Sequence, residues 1–162
     1  MITLKTKEEI EIMRRAGRVV AQCLDMVENT IEAGMTTKQL DMLIEDFLTS
    51  HGAIPAFKDY QGYPASACIS IDDEVVHGIP GERVLRDGDV VSIDMGLVYG
   101  GYHADCAFTV AMGDAPASVR RLLDVTEQSL YQGIAQAAPG NRIGDIGHAV
   151  QSFVLPNRFG IV

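Results

Sequence analysis

Two aspartates, Asp94 and Asp105, sit in the stretch DVVSIDMGLVYGGYHADCAFTV, residues 89–110. It reads as two β-rich runs joined by a Tyr-Gly-Gly-Tyr turn, each run carrying one inward-looking carboxylate. A two-residue loop, Tyr99-Gly100 or Gly100-Gly101, puts both on the same face of the ribbon, directly opposite or one step diagonal. A three-residue loop puts them on opposite faces. Like charges this close on a sheet are destabilising, and there are three remedies: a raised pKa on one carboxylate, an Arg or Lys partner, or a metal cation. The bland alternative is one aspartate capping a turn and the other exposed. The apolar neighbours Val90, Val91, Ile93 and Met95 favour the metal.

Two histidines lie near this pair. His77, in HGIP, precedes a Pro-Gly turn in a loop that leads into the hairpin, which makes it a candidate for the site as well as for an ordinary structural hydrogen bond. His103 is two residues before Asp105, hence on the same strand face, and ranks below His77. Upstream, IPAFKDYQGY is punctuated by Pro and Gly and rich in aromatics. Such a loop either lines a pocket or packs onto the sheet.

The elements that position these groups follow from caps and periodicity. Thr6 and Glu9 form a capping box, and Ile10, Met13, Gly17, Val20, Leu24 and Val27 continue a helix to about Thr30, with a stop near Gly34. Thr36 and Gln39 open a second helix with Leu40, Leu43, Phe47 and Leu48 on its apolar face, ending at Gly52. Residues 67–71 form a short strand, Asp72-Asp73 a turn, and VVHGIPG a strand end running into a loop. A third helix starts at Asp114-Ala115-Pro116, with Val119, Leu122, Leu123, Leu130 and Ile134 along it, and breaks at Pro139-Gly140-Asn141. A fourth carries Ile143, Ile146, Val150 and Phe153 and ends at Pro156. Phe159-Gly160-Ile161-Val162 reads as the opening of a strand. No repeat, low-complexity segment or interdomain linker is evident.

Composition bounds the function. The 162 residues suffice for one domain or part of a larger one, and 47% apolar with 22% charged residues is the balance of a soluble globular chain. A formal charge of −9, with no Lys/Arg cluster, argues against nucleic acid as a partner. The N-terminus has no apolar core of a signal peptide, and no run is long enough to span a bilayer. Cys23, Cys68 and Cys106 form neither a zinc pattern nor a disulfide framework, which suits a reducing, cytoplasmic compartment.

In order and spacing, residues 74–80 (EVVHGIP), 88–94 (GDVVSID) and 102–105 (YHAD) resemble the type I methionine aminopeptidases. The resemblance extends over Ile2–Val162, including YQGYP at 60–64, CIS at 68–70 and GDIGH at 144–148. It implies an α+β pita-bread fold in which residues 1–112 are the N-terminal half and 113–162 begin the C-terminal half. It also implies removal of the N-terminal Met from nascent polypeptides, by water activated on a pair of divalent ions (Co, Mn, Fe(II) or Zn). Asp94 and Asp105 match two of the family's five metal ligands, and His77 matches its substrate-contacting catalytic His. Phe57, Tyr60, Tyr63 and Cys68 match the Met side-chain pocket. The remaining ligands, a His and two glutamates, have no counterpart before Val162, so the chain is expected to be truncated and its own activity in doubt. His148 matches an ordinary helix position. Two carboxylates alone could hold one hard cation loosely but would not build a dinuclear site. Ribosome association follows from the family alone. A free sheet edge and an unburied helix face, with self-association, are further expectations. Competing readings are a non-catalytic binding module of the same fold and a relative acting on X-Pro bonds.

Overall fold

A computed structural model describes residues 3–162, which divide into two compact units, the first ending at Asp114 and the second spanning Ala115–Val162. The first unit is α+β. Helix α1 (Lys7–Thr30) and helix α2 (Thr37–Ser50) each begin with a complete capping box, Thr6 with Glu9 and Thr36 with Gln39. Each box pairs backbone amides that a helix start otherwise leaves open, which is why both starts were legible. On α2 the buried stripe is Leu40, Ile44 and Leu48, not Leu43 and Phe47, which are only half-buried. Ile44 completes the i, i+4, i+8 row that lies flat against the sheet.

The sheet has four strands: β1 (Ile54–Pro55), β2 (Ala67–Ile71), β3 (Val90–Tyr99) and β4 (Tyr102–Ala111). All pairings are antiparallel. β1 and β2 share one side of β3, and β4 takes the other. Alternation decides the faces. Val91, Ile93, Met95 and Leu97 are essentially fully buried and join Ala16, Val20, Cys23, Val27, Leu40, Ile44 and Leu48 in one core beneath the helices. Each fully buried Val, Leu, Ile or Met side chain among them contributes about 1.5–3 kcal/mol of hydrophobic stabilisation. The even-numbered positions of β3 and the odd-numbered positions of β4 therefore face away from that core.

Three expectations are corrected. The expected loop at 53–63 contains β1, too short to show any period of its own. Val75, Val76 and His77 form no strand; they are exposed and irregular. Phe159–Val162 is likewise not a strand, because no neighbouring segment pairs with it among the described residues.

The second unit is a helical pair, α3 (Ala117–Gln136) and α4 (Ile143–Val154), followed by a 3-10 turn at Leu155–Asn157. Helix α3 buries Val125, Ser129 and Gly133, whereas Leu122, Leu130 and Ile134 are exposed, so the expected apolar row is not the packed one. Gly133 explains the choice. A Cβ there would lie 3.0 Å from Val150 Cγ2, so the small residue lets the helices approach closely. No described helix is long and apolar enough to cross a membrane.

Candidate functional site

The hairpin between β3 and β4 closes through Gly100-Gly101, with Tyr99 opposite Tyr102. Both glycines have positive φ, +57° and +84°, the backbone demanded by a two-residue turn that matches strand twist. This register places Asp94 opposite Ala107 and Asp105 opposite Gly96. The two carboxylates are thus diagonal neighbours on one face. The expectation of inward-looking side chains is corrected in direction: both point away from the helical core. Asp94 is half-buried and Asp105 exposed.

They form the floor of a solvent-open cavity of about 610 Å³, whose walls include Phe57, Tyr60, Tyr63, Cys68, His77 and Ile79. Each wall has a local cause. Ala56 N–H donates to Gly96 C=O at 2.8 Å, which brings Phe57 over the sheet. A Cβ on Gly96 would lie 2.7 Å from Phe57 Cε1 and 3.0 Å from Asp105 Oδ2, so the missing side chain makes room for both. Cys68 is directly opposite Asp94 and therefore shares its face. Tyr60 begins a 3-10 turn, Tyr60–Gly62, and remains largely exposed.

The loop holding His77 is pinned by Gly78. Its N–H donates to Ser70 Oγ at 3.0 Å, and its carbonyl accepts the Ile69 N–H at 2.9 Å. A Cβ at Gly78 would fall 2.2 Å from the Ile69 carbonyl oxygen, so no other residue fits. His77 itself is exposed and adopts φ +61°, an uncommon conformation for a residue with a side chain. His103, opposite Val98, shares the aspartates' face but does not line the cavity, and His148 is exposed on α4, 3.3 Å from Ser152 Oγ.

Asp94 Oδ1 is buried without a hydrogen-bond partner. Burial, and then the like charge of Asp105, push its carboxyl above the ordinary value, against a weaker opposing pull from His77. Neither aspartate ion-pairs with Arg or Lys among the described residues. Two of the three remedies for the charge pair then remain: a proton or a cation. An orphaned carboxylate oxygen, a second carboxylate on the same face and open solvent beside them fit a hard divalent cation. Among the described residues no group of three or more His, Cys, Asp or Glu converges on one point.

Residues 11–161 match metallopeptidase family M24. The chain is 47% identical over 162 residues to methionine aminopeptidase 1 of Bacillus subtilis, covering all of this chain and 65% of that protein. It is 45% identical over 163 residues to the methionine aminopeptidase of Clostridium acetobutylicum, again with 65% of the relative covered. The crystal structure of methionine aminopeptidase from Rickettsia prowazekii superposes with a TM-score of 0.97 at 37% identity, covering 100% of this chain and 65% of that one. Prolidase from Pyrococcus furiosus, at 22% identity and TM-score 0.87, shares the fold alone, over 97% of this chain and 45% of that one. The chain thus spans about 65% of the length of the curated relatives it matches. With its pita-bread architecture and a cation-suited carboxylate pair on the sheet face, the chain belongs to metallopeptidase family M24.

Proposed function

We propose that this chain carries the methionine pocket and the first two metal-holding carboxylates of a methionine aminopeptidase, acting on the N-terminal Met of nascent polypeptides in the cytoplasm. The observation that supports this best is the placement of Asp94 and Asp105 at the floor of a cavity walled by Phe57, Tyr63 and Cys68. In this reading Asp94 and Asp105 would hold the divalent cation, which when bound would supply acidified water and polarise the scissile carbonyl. Phe57, Tyr60, Tyr63 and Cys68 surround the Met side chain; an unbranched thioether suits a wall of aromatic faces and a thiol. His77, on the rim, donates a hydrogen bond to the carbonyl oxygen of the scissile peptide and stabilises the charge that develops there. Residues 1–112 act as the N-terminal half of the fold and 113–162 as the start of the second half. Docking at the ribosomal exit would bring this site to its substrates.

The test is release of Met from a Met-Ala-Ser peptide by the purified chain with Mn, Co or Fe(II) under reducing conditions. Turnover that disappears in Asp94→Asn supports the reading. A second reading, a module that binds N-terminal Met without hydrolysing it, is favoured by the lack of a third converging ligand among the described residues. Saturable binding of the peptide with no turnover at any metal concentration would decide for it.

A further inference from the structure

Helix α2 carries a polar stripe beside its buried apolar one: Thr37, Asp41 and Glu45, at i, i+4 and i+8. Each bonds a segment that adjoins the cavity wall, Asp41 and Glu45 meeting at Ser66, and none of the three lines the cavity. Thr37 Oγ1 donates to Gly81 C=O at 3.0 Å and accepts the Gly81 N–H at 2.8 Å, clamping the far end of the His77 loop. Asp41 Oδ1 accepts two amides at once, Ser66 N–H at 2.9 Å and Ala67 N–H at 2.8 Å. Glu45 accepts the Ser66 hydroxyl at 3.1 Å and ion-pairs with Lys58, next to Phe57. Asp41 is the unusual member, a carboxylate only 9% exposed. An acid is expensive to bury unless its oxygens are hydrogen-bonded, and here the two amide donors offset that cost.

The connection continues beyond the helix. The peptide held by Asp41 leads into Cys68, and the Ala67 carbonyl accepts the Tyr63 hydroxyl at 3.1 Å. The same hydroxyl lies 3.1 Å from the Gly78 carbonyl, its one proton shared between the two. Gly78 follows His77 directly. One carboxylate oxygen is thereby tied to the backbone of Cys68, to the Tyr63 ring and, through it, to the turn that sets His77.

We propose that Asp41 is a positioning residue for the pocket. Its carboxylate fixes the Ser66-Ala67 peptide and, through Tyr63, the Gly78 turn. The identity of the pocket's ligand rests on the function proposed above; the geometry of the linkage does not.

The test compares Asp41→Asn, Asp41→Ala and Tyr63→Phe by amide hydrogen exchange and by KM and kcat for Met-Ala-Ser with Mn. Asn keeps a carbonyl oxygen for the two amides and should leave both readouts within about twofold of the parent. Ala should accelerate exchange about tenfold at Ser66, Ala67 and the distant Ile69, whose N–H is held by Gly78, relative to the β3–β4 amides. It should raise KM about tenfold with kcat changed less than about threefold. Tyr63→Phe cuts the relay midway, so Ile69 should exchange faster while Ser66 and Ala67 stay protected. This variant keeps the linkage testable if Asp41→Ala does not fold. Equal acceleration of all amides in Asp41→Ala, or an unchanged Ile69 in Tyr63→Phe, would overturn the proposal and leave Asp41 a plain structural anchor. If the parent chain does not turn peptide over, the exchange pattern still decides on Asp41, and only the proposed activity fails.

Discussion

Asp94 is held in a state that folding alone would not choose. Its Oδ1 is buried without a partner, and burial with the neighbouring Asp105 raises its pKa above the ordinary 3.8. A carboxyl whose folded pKa is raised contributes stability in full below the unfolded value and loses it as pH rises through the folded one. Asp94→Asn cannot ionise, so without metal it should become progressively more stable than the parent as pH rises from about 4, levelling off above the folded pKa of Asp94. Urea unfolding in EDTA across pH 4–8 checks this; a stability difference that does not change with pH would contradict it. The aspartate pair was legible from the spacing of two carboxylates around Gly-Gly. Asp41 was not. From sequence it is an ordinary polar position on an amphipathic helix, and nothing local reports that two amides 25 and 26 residues away turn toward it. Gly96 was missed for the same reason, because its meaning lies in Phe57 and Asp105 meeting over it.

Among the elements, the helix starts and the hairpin were readable because capping boxes and paired glycines are local chemistry. What failed depended on partners. β1 exists only because Leu97 and Val98 pair with it, and the face of α3 was misassigned because Gly133, not a leucine, sets the contact with α4. The HGIP loop is intermediate: the motif stood out in sequence, but its geometry comes from the close approach of Gly78 to Ile69. Gly78→Ala should therefore destabilise the first unit by about 1–3 kcal/mol, the usual range for forced overpacking. It should also abolish the protection of the Ile69 amide. Thermal melts with hydrogen exchange test both, and an unchanged Ile69 amide would contradict the assigned contact.

For the molecule as a whole, β4 pairs only with β3 among the described residues, leaving its outer edge open along Tyr102–Ala111. Leu130, Tyr131 and Ile134 on α3 are each more than half exposed. An open ten-residue edge and apolar side chains in water both favour association. The net charge of −9 opposes it and is screened by salt. Sedimentation velocity should accordingly show a weight-average mass that rises with concentration, and more steeply at 0.5 M than at 0.05 M NaCl. A monomer throughout would contradict this.

In the function proposed above, Asp94 and Asp105 hold a divalent cation at the floor of the cavity. The most direct measurement is isothermal titration of Mn²⁺ into the metal-free chain, alongside Asp94→Asn and Asp105→Asn. Binding should saturate at one ion per chain, and either substitution should weaken it by at least about tenfold, as expected when one of two charged ligands is neutralised. Binding of equal strength in all three proteins, or none in the parent, would contradict it.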